Sequence, residues 1–199
     1  MQIYYTELKS NNIDKITSHR LLAASLVRYW KSSSAGLGDQ PAPDLMGMAR
    51  KLVSEMRVGE FGKPTFVVPE TSDFNYPIPH FSISHSGNAW AVLFSQEECG
   101  LDIQFQVDCK YDRLASRIYG KEEAELIASL AGDEKIQEFF RHWTCREAYI
   151  KALGISVFRD AEAEGMNCKG VSESKDGRRW KVYNIELPMK LYAAVCVTL

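Results

Sequence analysis

Phe81-Ser-Ile-Ser-His-Ser86-Gly87-Asn88-Ala89-Trp-Ala-Val-Leu-Phe94 is the stretch that decides the fold. Phe81, Ile83 and His85 alternate with Ser82, Ser84 and Ser86 at the period of a strand. Gly87-Asn88 turns the chain, and Ala89 to Phe94 reads as the returning strand of a hairpin. Gly100-Leu-Asp-Ile-Gln-Phe105 follows as a further strand, with Leu101, Ile103 and Phe105 on one face and Asp102 and Gln104 on the other.

Upstream, Met1 to Leu8 is expected to form a short strand, and Ser18 offers an N-cap for a helix from His19 to Trp30, where Leu22, Leu26 and Tyr29 recur at helical spacing. Loops rich in Pro and small polar residues are expected at Ser32 to Pro43 and Pro69 to Pro79, with Asp44 capping a helix to about Met56. Downstream, the pattern predicts helices over Arg113 to Leu130 and Glu134 to Leu153, then strands Trp180 to Leu187 and Leu191 to Thr198. Each half mixes helices and strands without strict βαβ alternation, which predicts an α+β fold.

The 199 residues suffice for one or two compact units, and 45% hydrophobic with 25% charged residues is an ordinary globular composition. A net charge of -2 supplies no broad basic field, so nucleic acid is not expected as a partner. No apolar run approaches a membrane span, and Met1-Gln-Ile-Tyr-Tyr-Thr6 has no signal-peptide pattern. Five scattered cysteines (Cys99, Cys109, Cys145, Cys168, Cys196) without a C-x-x-C pair read as reduced thiols in a cytoplasm.

Two acidic residues stand where local structure does not explain them. On a helical projection of Lys135 to Leu153, Ile136, Phe139, Phe140, Trp143 and Ile150 form an apolar stripe, with Glu147 in its middle and Lys151 at its edge. A carboxylate there needs a metal or an ion pair to offset its lost hydration. An exposed i,i+4 pair of Glu147 with Lys151, worth about 0.3–0.5 kcal/mol, is the plainer account. Asp102 lies inside an apolar strand, where aspartate is depleted, with Gln104 beside it as another oxygen donor. Together with Glu147 they make a partial shell for Mg²⁺, which takes one or two carboxylates and completes its coordination with water and phosphate. Lys110, Arg113, Arg117 and Lys121 recur at helical spacing, as either a solvated face or a docking surface for an acidic partner.

In order along the chain, His19-Arg20 with Leu26-Val-Arg28, Phe61-Gly-Lys-Pro64, Phe81-Ser-Ile-Ser-His-Ser-Gly87, Gly100-Leu-Asp-Ile-Gln104 and Trp143-Thr-Cys-Arg-Glu-Ala-Tyr-Ile-Lys-Ala-Leu-Gly154 form colinear blocks. This set resembles the 4'-phosphopantetheinyl transferases of the surfactin-synthetase-activating type, the G-x-D and W-x-x-[KR]-E-A-x-x-K blocks being the specific part.

The resemblance implies a 4'-phosphopantetheinyl transferase fold: two pseudo-symmetric α+β halves in one chain, about 1–105 and 106–199, with coenzyme A in the cleft between them. It implies transfer of 4'-phosphopantetheine from coenzyme A to a serine of an apo acyl or peptidyl carrier protein, leaving 3',5'-ADP. Asp102 and Glu147 would hold Mg²⁺ with Gln104 beside them, and Lys151 would neutralise pyrophosphate charge and assist the leaving group. Arg20, Lys63, Ser84 and His85 would bind the nucleotide phosphates. Lys110, Arg113, Arg117 and Lys121 would dock the carrier, and such a chain would work as a monomer.

Three features depart from the family pattern. Gln104 stands where Glu is frequent, Arg146 where Lys is usual, and the segment ahead of His19 is short, so phosphate contacts from it are expected to be missing or replaced. Two competing readings share the residues: a Mg²⁺-dependent phosphodiesterase, disfavoured by the charge balance, and a noncatalytic coenzyme A or carrier-binding module, motivated by Gln104.

Overall fold

The structure is a computed structural model that describes residues 1–33, 44–67, 76–155, 166, 171–174 and 176–199. Most of the two loops expected at Ser32 to Pro43 and Pro69 to Pro79 lies outside the described residues. The chain divides into two compact units, Met1–Glu98 and Cys99–Leu199.

In the first unit, strand β1 (Gln2–Glu7), helix α1 (Lys15–Ser33), helix α2 (Leu45–Ser54), the two-residue strands β2 (Arg57–Val58) and β3 (Pro64–Thr65), and strands β4 (His80–Ser86) and β5 (Ala89–Ser95) follow one another. The expected hairpin is present as β4 and β5, antiparallel, with Ser86 opposite Ala89. Gly87 has φ 53° and Asn88 a negative φ, the pattern of a II′ turn, which matches the twist of the strands it joins. Asn88 also ties the turn to β1, donating through Nδ2 to the Leu8 carbonyl at 3.1 Å. The sheet order is β1-β5-β4, with β5 central and buried throughout.

Helix α1 starts a turn earlier than expected. Asp14, not Ser18, is its cap: the Asp14 carboxylate accepts from the Thr17 backbone N–H at 2.7 Å, and these Thr17 bonds lower its pKa. Ser18 instead accepts from the Trp90 indole N–H at 3.0 Å. Asp44 caps α2 as expected, accepting from the Gly47 N–H at 2.8 Å. Leu22, Leu26, Tyr29 and Trp30 of α1 pack with Leu52 and Val53 of α2 and with Trp90, Val92 and Phe94, the residues of one β5 face.

In the second unit, strand β6 (Cys99–Gln104) is followed by helices α3 (Tyr111–Ile118), α4 (Lys121–Ser129) and α5 (Gly132–Leu153), then by strands β7 (Val171–Glu173), β8 (Arg179–Ile185) and β9 (Tyr192–Thr198). The sheet is antiparallel in the order β6-β9-β8-β7. β6 therefore belongs with the C-terminal strands, because its backbone pairs with β9 from Cys99↔Val197 to Gln104↔Tyr192. The single helix expected over Arg113 to Leu130 is two helices, broken at Tyr119-Gly120, where both residues take extended ψ angles of 162°. Glycine is a poor helix former, so the chain breaks there at little cost.

Cys145, Ala148, Tyr149 and Ala152 of α5 pack on Trp180, Val182, Ala194 and Cys196 of the sheet. Phe139 and Phe140, two turns earlier, carry Ala115, Tyr119 and Ile127 of the α3–α4 segment. α5 is consequently buried on most sides, which displaces the expected stripe: Trp143, Glu147 and Lys151 form a half-buried flank rather than its centre. Gly154, at φ 65°, ends the helix in the left-handed conformation, with its N–H on the Ile150 carbonyl at 2.9 Å. No described helix is long and apolar enough to cross a membrane.

Candidate active site

β6 places Gly100, Asp102 and Gln104 on the face turned to α5, while Leu101 and Ile103 fill the other face at 0% and 1% exposure. A Cβ built on Gly100 would lie 1.9 Å from the Ala148 carbonyl oxygen and 2.6 Å from the Ala152 nitrogen. The strand backbone thus lies directly against the α5 backbone, an approach only glycine permits. Asp102, two residues on, is brought against the same helix.

Asp102 is buried, and its Oδ1 accepts from the Lys151 ammonium at 2.7 Å. This ion pair spans 49 residues of sequence and replaces the local alternative, since no ion pair joins Lys151 to Glu147 among the described residues. Glu147, one turn before Lys151, is half-buried. Its carboxyl is pushed above the ordinary 4.5, first by lost hydration and then by the negative charge of Asp102, against the opposing pull of Lys151 and Arg146. Asp102, Glu147 and Lys151 are therefore one electrostatic group.

The donor set is compatible with Mg²⁺. Among the described residues no group of three or more His, Cys, Asp and Glu is arranged to hold a metal ion by itself. Two neighbouring carboxylates suit a hard cation that keeps waters and binds phosphate. Gln104 shares the Asp102 face, and its amide nitrogen donates to the Phe105 carbonyl at 3.0 Å, so the side-chain oxygen is the atom of this residue that could meet a cation. Arg146 is buried on α5 beside Glu147 and adds positive charge there.

The residues expected to bind the nucleotide phosphates lie in the first unit. Arg20 is exposed on α1. Lys63 is half-buried and lines a cavity of about 140 Å³ with Phe66, Ile78, His80 and Phe81. Ser84 and His85 stand on opposite faces of β4, Ser84 buried and His85 exposed, so the strand does not present both to one side. The basic stripe does not lie on one helix: Lys110 caps α3, Arg113 and Arg117 are exposed on it, and Lys121 opens α4, 3.8 Å from Glu125. Sequence reasoning assigned no task to Gly100. Its signal was a glycine inside an apolar strand, which marks close backbone approach.

Residues 98–193, which contain β6, α5 and the Asp102–Glu147–Lys151 group, match the model of the 4'-phosphopantetheinyl transferase superfamily. The 4'-phosphopantetheinyl transferase AcpT of Escherichia coli O157:H7 is 34% identical over 107 residues, 53% of this chain and 51% of the relative. HetI of Nostoc sp., also named a 4'-phosphopantetheinyl transferase, is 36% identical over 86 residues, 42% of this chain and 36% of the relative. Sfp of Bacillus subtilis, of the same name, is 30% identical over 95 residues, 48% and 39% of the two chains. The chain thus spans about a third to a half of the length of these relatives. The matched segment covers the strand and helix that join the two carboxylates to the lysine, and in that segment the chain is similar to the 4'-phosphopantetheinyl transferase superfamily.

Proposed function

We propose that the chain transfers 4'-phosphopantetheine from coenzyme A to a serine of an apo acyl or peptidyl carrier protein, giving the holo carrier and 3',5'-ADP. The observation that carries this reading is the meeting of Asp102, Glu147 and Lys151 inside the segment matched by the family model. The surfactin-synthetase-activating type is the finer assignment, and it rests on the motif blocks. A cytoplasmic monomer is the setting this reading assumes.

A carrier serine holds its proton far above neutral pH, so attack on the β-phosphorus needs an acceptor for that proton. Glu147 fills the role, directly or through water. Asp102 and Glu147, with the Gln104 oxygen beside them, would hold Mg²⁺ on the pyrophosphate of coenzyme A. Bound there, Mg²⁺ neutralises charge on the phosphates. Lys151, held in place by Asp102, carries the positive charge that favours departure of the 3',5'-ADP phosphate. Arg20, Lys63, Ser84 and His85 are assigned to the nucleotide phosphates, and Lys110, Arg113, Arg117 and Lys121 to the carrier.

Intact mass of a purified apo carrier after incubation with the protein, coenzyme A and Mg²⁺ tests the reading. A gain of roughly 340 Da, absent with Glu147→Ala, is the expected result. No gain across fatty-acid and peptidyl carriers, despite measurable coenzyme A binding, would favour the noncatalytic binding module, for which Gln104 is the motivating residue.

Two further outcomes are expected. Gln104→Glu adds a negative charge to the shell and tightens Mg²⁺ binding by about tenfold, read by calorimetric titration; equal affinities would remove Gln104 from the metal's surroundings. Charge reversal at both Arg113 and Arg117 raises the carrier KM about tenfold and leaves the coenzyme A KM unchanged, since both side chains are exposed and far from any buried role. An unchanged carrier KM would take docking away from α3.

A further inference from the structure

We propose that His142 is a protonation-dependent latch that fastens α4 to α5. The imidazole is buried on α5 at 7% exposure, between two carboxylates. Its Nδ1 lies 3.3 Å from Glu123 Oε1 of α4, and its Nε2 lies 3.2 Å from Glu138 Oε1 one turn back on α5. An ionised carboxylate only accepts, and a neutral imidazole has a single N–H to give. Only the imidazolium donates to both. When the ring is neutral, one carboxylate faces a lone pair at hydrogen-bond distance, and either Glu123 or Glu138 must turn away.

Facing the ring are Glu123 from α4, Glu138 from its own helix and the Tyr119 ring from the turn between α3 and α4, its centroid 5.8 Å from that of the imidazole. Tyr119 is already committed, donating its hydroxyl to the Phe139 carbonyl at 3.1 Å. Arg146 follows one turn later on α5, a second buried cation on that side.

α4 depends on this tie more than its neighbours do. It has nine residues, no side-chain cap on its N-terminus, no basic residue in its last turn, and Ile127 as its single buried side chain. Helices this short are marginal without tertiary contacts. α3 has a separate fastening to α5, the Asp112–Lys135 pair at 2.8 Å. The latch is therefore fully closed at low pH and weakened as rising pH removes the ring proton, because the neutral ring can donate to only one of Glu123 and Glu138. The loosened segment adjoins Arg113 and Arg117 and includes Lys121, so the presentation of these cations follows the protonation of His142. The latch itself does not depend on the transferase reading.

Two measurements on the full chain decide it. Long-range ¹⁵N spectra of the histidine rings, assigned with His142→Gln, report whether both nitrogens carry protons. Amide exchange of residues 121–129, corrected for the intrinsic rate, is followed from about pH 5 to about pH 9. The expected result is an imidazolium at the acidic end and about a tenfold loss of protection in 121–129 on deprotonation, with 139–152 unaffected. Glu123→Gln, at a partly exposed position, removes that pH dependence even if His142→Gln folds poorly. A ring that keeps one protonation state across the range, or protection of 121–129 that does not change with pH, overturns the latch.

Discussion

Glu147→Gln lowers kcat/KM for carrier modification by at least about a thousandfold and, in metal-free buffer at neutral pH, raises the melting temperature. The first effect combines loss of a general base, worth about 10² to 10⁴ in rate, with loss of one of two carboxylates for the metal. Glutamine keeps the shape of the side chain and removes only its charge and basicity. The second effect follows from the environment of the carboxylate, whose ionised form is disfavoured in the folded state by burial and by Asp102. For a group raised above its unfolded value, the associated stability is fully present below about 4.5 and is lost as pH rises through the raised value. The variant has no such group, so its advantage over the parent grows with pH and vanishes toward the acidic end. Relief of about 1 kcal/mol moves the melting temperature of a chain this size by roughly 2–4 °C. Thermal melts in EDTA across pH 4.5 to 8, beside steady-state rates with Mg²⁺, check both halves. A variant that keeps its turnover would remove Glu147 from the chemistry, and a melting difference that ignores pH would remove the electrostatic account.

The residues that sequence reading singled out did so by violating a local rule. Asp102 in an apolar strand and Glu147 among aromatic neighbours are costly placements, and the structure brings those two charges within electrostatic reach. Lys151 was legible as a site residue, but its pairing with Asp102 was not, because it sits one turn from Glu147 in sequence and its bond to Asp102 depends on how β6 crosses α5. Both Asp14 and Ser18 are good helix caps, and the choice between them turned on Trp90, which engages the Ser18 hydroxyl from 72 residues away. Periodicity alone carried the basic stripe through Gly120, where two short helices replace one. His142 escaped notice because a lone histidine in a helix is unremarkable until Glu123, on another helix, faces it.

Gly100→Ala should do more damage to the fold than any surface change in this chain, and the reason lies in the same juxtaposition. The added methyl has no free direction: its ideal position is 1.9 Å from the Ala148 oxygen, 2.6 Å from the Ala152 nitrogen and 2.9 Å from the Ala148 carbonyl carbon. All three are backbone atoms of α5, so no rotamer change can relieve the clash. Either the helix moves away from β6 or the strand is pushed into the packing of Leu101 and Ile103 on its other face. Movement of α5 would disturb the packing of Ala148, Tyr149 and Ala152 on Trp180, Val182, Ala194 and Cys196. Overpacked cores cost about 1–3 kcal/mol when side chains can yield, and a backbone clash belongs above that range. We expect a loss of more than about 3 kcal/mol, seen as a fall of roughly 6–12 °C in melting temperature. Separation of β6 from α5 also stretches the 2.7 Å bond between Asp102 and Lys151, so any folded fraction of the variant should bind Mg²⁺ more weakly than the parent. Gly100→Ser, with a larger side chain on the same Cβ, should be no better tolerated. A stable Gly100→Ala protein with unchanged metal affinity would mean that contact between these two backbones is not what brings the carboxylates and the lysine together.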